Sequence, residues 1–241
     1  MLNEIKQLNK EFYNWAAVEL NDPDNTNPYL NIPDERYQNA SFRILVLGKE
    51  TNGWGEGKDE NCHSAKDLEE LYRHIVLDKT IMDNNGFWRF YFKFLLPSLE
   101  TRPDIGVCVS NVALLGYKND NAGYNPEYVQ ELGEFLGDYI KILEPNMIFC
   151  VAGIGTKKEG NYLKILESTH CVGTYLGYTP TCEPSLRKLS FSNAANIKIY
   201  GTRHPQGKSH EWKRLIIKII TQEIIPKPQA EAKADGSANE Q

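Results

Sequence analysis

The chain of 241 residues lacks the features that would direct it to a membrane or to the secretory pathway. No stretch of about 18 consecutive apolar residues occurs, so the sequence predicts no membrane-spanning helix. Its first residues, MLNEIKQLNKEFYNW, carry charges throughout and have no apolar core of the kind a signal peptide needs. We therefore expect a protein with no membrane partner.

Cysteine is scarce and is not spaced for a metal site. There are five cysteines, an odd count, and no pair has the C-x-x-C spacing of a zinc site. Cys108 and Cys150 lie in apolar runs, where cysteine behaves as a small buried hydrophobe. The segments Cys62-His63 and His170-Cys171, with Cys182, leave metal binding only as a minor alternative. The number and placement of the cysteines predict a reduced, cytoplasmic setting. We expect no metal and no cofactor.

Basic residues are also in the minority. The chain has 27 Lys and Arg against 32 Asp and Glu, a formal net charge of −5. This balance argues against tight nonspecific binding to nucleic-acid phosphates, which comes mostly from Lys and Arg. Several acidic residues fall in a predicted helix or in the C-terminal tail, so a local basic face remains open around Lys49, Arg203, Lys208, Lys213 and Arg214.

What the sequence does contain is an alternation of apolar strands and amphipathic helices. Short apolar runs predict strands at residues 42–47, 106–110, 147–151 and 197–200. Helical spacing predicts helices at 4–20, 64–75, 87–96, 126–143, 161–167 and 209–220. Pro97 and Pro145 are expected to end the third and fourth of these helices. The segment that contains Gly173, Gly177 and Pro180 is interpreted as irregular.

This order of elements predicts an α/β fold. Apolar strands that alternate with helices favour a three-layer α/β/α architecture with a central, mostly parallel four-stranded sheet. Residues 1–225 are expected to form a single domain, and the polar tail 226–241 to be disordered. The oligomeric state stays open.

Polar residues follow three of the predicted strands. In open α/β sheets, ligands bind outside the carboxyl ends of the strands. The segment 48–54 follows the first strand, Asn111 ends the second, and the segment 203–209 follows the fourth. These positions would bring together the carboxylate of Glu50, the amide of Asn111 and the imidazole of His204.

These segments resemble the uracil-DNA glycosylase superfamily. GKETNGW matches in position the family's turn after the first strand, VCVSNVALL resembles its strand that ends in Asn, and RHPQGKS resembles its His-Pro-Ser loop. The motifs are short, and together they span roughly residues 42–221. The chain departs from the family's pattern at Glu50-Thr51, where the family has Asp-Pro, and at Gln206, which replaces the first Ser.

The resemblance implies a metal-independent hydrolase that binds a nucleobase extruded from DNA and cleaves its N-glycosidic bond, as in base-excision repair. The resemblance implies catalytic roles for Glu50 and His204, and it implies that Asn111 binds the edge of the base. Phe87 or Trp88 would supply the aromatic face that a flipped base needs. The remaining candidates are Asn52 and Trp54 for the base, and Gly48, Lys49, Arg203, Lys208 and Ser209 for phosphates or DNA.

Other interpretations remain open. The same fold can be catalytically silent and bind a nucleotide, a nucleic-acid end or a protein, or it can act on free nucleosides. Glu50 can cap a loop, His204 can be a turn residue, and Asn111 can pair with a neighbouring loop. A dinucleotide site at residues 151–155 is disfavoured because the full G-x-G-x-x-G spacing is missing.

Overall fold

A computed structural model describes residues 1–19, 25–49, 64–77, 86–117, 125–153, 160–205 and 208–225. The helices in these ranges are α1 (Leu2–Glu19), α2 (Glu35–Asn39), α3 (Ala65–Tyr72), α4 (Gly86–Phe90), α5 (Leu96–Glu100), α6 (Val129–Leu143), α7 (Gly160–Glu167) and α8 (His210–Ile219). Shorter helical turns adjoin them at Arg73–Leu77, Tyr91–Leu95, Pro126–Tyr128 and Ile220–Ile224. The strands are β1 (Phe42–Gly48), β2 (Ile105–Asn111), β3 (Met147–Cys150), β4 (Tyr175–Pro180), β5 (Leu186–Phe191) and β6 (Lys198–Thr202).

The strands form one mixed sheet in the order β2-β1-β3-β6-β5-β4. The first four in this order are parallel to one another, and they coincide with the four strands predicted from apolar runs. Consecutive residues are buried along β1 from Ile44 to Leu47, and along all of β3. Because neighbouring strand residues point to opposite faces, both faces of this part of the sheet are covered. The α/β class is confirmed.

The prediction of a four-stranded sheet was wrong, because β4 and β5 form an antiparallel hairpin in the segment interpreted as irregular. β4 lies at the edge of the sheet, and its Leu176 and Tyr178 are 68% and 48% exposed. The strand also carries an irregularity between Tyr175 and Gly177. An exposed, bulged edge strand has no buried apolar run, so the signal that identified the other strands is missing here.

The prediction that Pro97 ends the third helix was also wrong, since helical structure continues to Glu100. Pro97 is the second residue of α5, and a π-helical turn, Tyr91–Leu95, lies directly before it. In that turn the amide of Leu96 donates to the carbonyl of Tyr91, a wider spacing than in an α-helix. Proline has no amide to donate, and it is tolerated in the first turn of a helix.

Several predicted helix boundaries are confirmed by their caps. Ser64 accepts a hydrogen bond from the amide of Asp67 at 3.2 Å and begins α3. The helix α6 ends at Leu143, and its C-cap Glu144 has a left-handed backbone (φ 47°) directly before Pro145. Within the described ranges, no helix combines the length and the apolar character needed to cross a bilayer.

The strand order places a topological switch beside β1. From β1 the chain passes first to β2 on one side and then to β3 on the other, and a crevice forms at such a reversal. The carboxyl ends of all four parallel strands lie at this edge. The turn between β4 and β5, residues 181–185, lies at the same edge because Leu186 pairs with Thr202.

Candidate functional site

The last residues of β1 and β2 lie side by side, with Gly48 and Asn111 as Cα partners in the parallel pairing. The pairing continues past the strands, since the amides of Val112 and Ala113 donate to the carbonyls of Gly48 and Lys49 at 3.0 and 2.9 Å. Backbone hydrogen bonds therefore fix where the Asn111 side chain leaves the strand.

The absence of a side chain at Gly48 leaves room for the Asn111 amide. A methyl group added at Gly48 would overlap Oδ1 of Asn111, and it would lie 3.5 Å from Cε2 and Cζ of Phe87. The Asn111 amide and the edge of the Phe87 ring therefore both lie against the bare Cα of Gly48. Only glycine leaves room for this approach.

The Asn111 side chain makes no hydrogen bond to a described residue, although the residue as a whole is only 7% exposed. Its amide oxygen and nitrogen are not fully enclosed, so the amide keeps some access to solvent. Because the donor and the acceptor of this amide are unused within the described chain, both are available to a ligand.

Phe87 supplies a buried aromatic wall beside this amide. Its ring stacks with Tyr91 at a centroid distance of 6.4 Å and meets Trp88 edge-on at 4.9 Å. Trp88, the other aromatic candidate, stacks instead on Phe92 at 5.6 Å. The structure therefore brings Asn111 and Phe87 together, whereas Trp88 is engaged within its own helical segment.

His204 lies in the loop between β6 and α8, and it is held uncharged. Burial, reinforced by the positive charge of Lys49, lowers the pKa of His204 from its ordinary value of 6.5 to about 4. Lys49 follows Gly48 directly, so the electrostatic contact links the end of β1 to the loop after β6. A neutral imidazole keeps one N–H for donating a hydrogen bond.

This low pKa predicts a loss of stability in acid. Below pH 6.5 the unfolded chain takes up a proton at His204 while the folded chain does not, so stability falls as the pH drops from 6.5 towards 4. The full effect is about 3 kcal/mol of unfolding free energy. Urea denaturation at pH 7 and pH 4.5 measures it.

Other groups titrate in the same range, so wild type is compared with a variant. His204→Asn is expected to lose less stability than wild type over this pH interval. Equal pH dependence in the two proteins would contradict the placement of a neutral His204.

The segment after β3 lies between the strand end that carries Asn111 and the loop that carries His204. β3 separates β1 from β6, and it is followed by buried Val151, Ala152 and Gly153. Gly153 has a positive φ of 87°, and its amide donates to the carbonyl of Thr202 at 3.0 Å. With strands about 4.8 Å apart, the ends of β2 and β6 are about 14 Å apart across this floor.

The turn between β4 and β5 holds the His204 loop from the other side. Trp212 Nε1 of α8 donates to Ser185 Oγ at 2.7 Å, and Ser185 Oγ donates to Glu183 Oε1 at 2.5 Å. Thr202 Oγ1 donates to the carbonyl of Ser185 at 2.8 Å. Both ends of the loop that carries His204 are thus tied to one turn, which no sequence motif indicated.

The residues after β6 that were predicted to contact phosphates differ in exposure and in hydrogen bonding. Arg203 is exposed, and Lys208 is half-buried. The backbone amide of Lys208 donates a hydrogen bond to the carbonyl of Pro205 at 3.2 Å. Ser209 is exposed, and its Oγ accepts the amide of Trp212 at 3.1 Å as the N-cap of α8. Ser209 therefore has a structural role that the sequence interpretation did not assign.

Ser209→Ala is expected to lower stability by about 1 kcal/mol, because the cap hydrogen bond is lost. Ser209→Asn, which restores a capping acceptor, should recover most of it. Thermal unfolding measures both. A Ser209→Ala protein as stable as wild type that binds DNA less well would instead assign the hydroxyl to a phosphate.

Three predicted site residues, Glu50, Asn52 and Trp54, lie outside the described residues, as do Cys62-His63 of the metal alternative. Within the described part of the chain, no three His, Cys, Asp or Glu side chains form a group suited to a metal ion.

Compared with known proteins, the chain matches no family model and no curated protein. Function is therefore inferred from the residues of the site.

Proposed function

We propose that the chain is a uracil-DNA glycosylase-like protein that binds a nucleobase extruded from DNA and hydrolyses its N-glycosidic bond in base-excision repair. The proposal is carried by one observation: an Asn111 amide that bonds to no described residue lies beside the Phe87 ring at the carboxyl edge of a parallel sheet. The resemblance of the strand-end motifs to the uracil-DNA glycosylase superfamily supports it.

The chemistry of the Asn111 amide suits the edge of a pyrimidine. An amide offers both a donor NH₂ and an acceptor oxygen on one plane, and a pyrimidine base presents a donor and acceptors along its edge. A base removed from its stack loses contacts on both faces, and the Phe87 ring can replace one of them. Burial makes each of these hydrogen bonds more selective, because a wrong base leaves the amide unpaired.

Cleavage places opposite charges on the two halves of the nucleotide. The bond between the sugar C1′ and the base nitrogen breaks, and both electrons leave with the base. The neutral His204 can donate its N–H toward an oxygen of the departing base, and the charge of Lys49 lies close by. Fixed donors and charges aimed at a developing anion lower the barrier.

Water completes the reaction on the other side of the sugar. A water oxygen bonds to C1′ and loses a proton, and the departing base takes up a proton from solvent, so the products are a free base and an abasic site. Glu50 is the carboxylate assigned to orient this water and to stabilise the positive charge on the sugar. It follows Lys49, whose carbonyl is bonded to Ala113.

A gel assay tests the proposal directly. End-labelled oligonucleotides with one uracil, or another damaged base, are incubated with the protein and cleaved with alkali at abasic sites. We expect cleavage with wild type and with the exposed-site control Glu35→Gln, and a strong reduction with Glu50→Gln. A wild-type protein that yields no abasic product across a panel of damaged bases would refute enzymatic function.

A catalytically silent module of the same fold is the second candidate. Gln206 stands where the related loop has its first Ser, and the net charge is −5, both of which favour binding without turnover. Such a protein would bind bases or short DNA equally well as wild type and as Glu50→Ala, with no product from either.

A further inference from the structure

A basic groove lies between α8 and the helical segment 86–100. It has a volume of about 580 Å³ and is open to solvent. Its basic side chains are Lys93 on one wall and His210, Arg214 and Lys218 on the other. All four are exposed, and the lining contains no acidic residue among those described. This local charge contrasts with the acidic balance of the chain.

A buried lysine adds to the positive charge beside the groove. Lys213 is 5% exposed, and no described residue supplies a hydrogen bond or a carboxylate to its side-chain ammonium group. Its Nζ lies 5.6 Å from the centroid of the Phe94 ring, which lines the groove. Burial, together with the like charge of Arg89, lowers the pKa of Lys213. A buried cation without a counter-charge is costly, and a bound anion would relieve that cost.

The basic side chains on α8 are spaced regularly. His210, Arg214 and Lys218 follow one another at intervals of four residues, so they lie on one face of the helix about 6 Å apart. The Phe94 ring lines the same groove and meets the His210 ring edge-on at 5.3 Å. Basic side chains beside an aromatic ring are the pattern by which proteins hold single-stranded nucleic acid, through phosphates and stacked bases.

We infer that this groove binds a strand of nucleic acid, with Lys93, Arg214 and Lys218 on the phosphates and Phe94 against a base. The inference rests on the proposed function, since α8 begins soon after His204 and a strand leaving the site would enter the groove at His210. It extends the predicted DNA contacts from the loop at residues 203–209 to a surface that the sequence did not indicate. An acidic peptide would use the same charges but has no base to place on Phe94.

Charge reversal tests the groove in the full chain. The triple variant Lys93→Glu, Arg214→Glu, Lys218→Glu is compared with Lys10→Glu, Lys141→Glu, Lys188→Glu, three exposed sites elsewhere with the same change in net charge. Binding of an undamaged oligothymidylate of about 20 nucleotides is measured by fluorescence anisotropy at several salt concentrations. Circular dichroism establishes that each variant is folded.

We expect the groove variant to bind at least about tenfold more weakly than the control, and its slope of log affinity against log salt to fall by about 2. Each single reversal should lower the slope by about 0.7, so the test does not depend on the triple variant folding. Phe94→Leu should weaken binding without changing the slope.

Two results would overturn the inference. One is an equal loss of affinity in the groove and control variants. The other is a groove that binds poly-glutamate while oligothymidylate binding is unaffected by the reversals. Because the readout is binding to undamaged DNA, it is independent of base excision. A protein that shows no excision can still confirm the groove, and an active one can still contradict it.

Discussion

Replacing Asn111 by alanine is expected to lower base excision about 100- to 1000-fold, the usual effect of removing one preorganised hydrogen-bonding group from an active site. The free energy of unfolding should change little. The Asn111 amide has no bonding partner among the described residues, so the folded chain loses no hydrogen bond when it is removed. Single-turnover excision and urea denaturation measure the two effects.

Asn9→Ala is the matched control for this prediction. Asn9 is also buried, but its amide is fully engaged: Nδ2 donates to the carbonyl of Asn31 and to Glu69, and Oδ1 accepts from Tyr139. We expect the opposite pattern, a loss of about 1–3 kcal/mol in stability with excision retained in the folded protein. If Asn111→Ala instead lost stability as Asn9→Ala does and kept its activity, Asn111 would be a structural residue.

Gly48→Ala is expected to remove activity to a similar extent, about 100-fold, although the glycine itself contacts no base. The added methyl group would overlap Asn111 Oδ1, whereas its distance of 3.5 Å to the Phe87 ring is ordinary van der Waals contact. The Asn111 amide must therefore move, and a displacement of about 1 Å is enough to cost this factor. The variant is also expected to lose about 1–3 kcal/mol in stability from overpacking.

Gly106→Ala separates displacement of the site from overpacking in general. Gly106 lies near the opposite end of β2, where a methyl group would clash with the backbone of Tyr37 and lie 2.9 Å from Cβ of Ala40. It should lower stability at least as much as Gly48→Ala does, yet leave excision by the folded protein unchanged. Equal loss of activity in both variants would indicate that Gly48 acts through general stability.

The parallel part of the sheet was predictable because its strands are buried on both faces. Runs such as residues 44–47 and 147–150 are continuously apolar, and only a strand covered on two sides requires this. The hairpin β4–β5 was not predictable in the same way. Its outer strand is mostly exposed, and β5 alternates between buried and exposed residues within a polar sequence.

The strand ends at Gly48 and Asn111 were predictable, but the contacts of the residues there were not. Strand ends follow from the apolar runs, and this places Gly48 and Asn111 at one edge. That the Asn111 amide is unpartnered and lies against Phe87 depends on packing between segments far apart in the chain. Likewise, the burial of Lys213 and its place 5.6 Å from the Phe94 ring depend on packing between separate segments, and lysine is usually exposed.

The central claim is that Asn111, Phe87 and His204 face one cavity that accepts a planar base. The most direct test is to follow the side-chain amide of Asn111 and the imidazole of His204 by NMR while uracil is added. The account predicts saturable shifts of both signals at one affinity, with the Asn9 amide unmoved and no shift of His204 in Asn111→Ala. Uracil that shifts neither signal, or shifts them at different affinities, would contradict it.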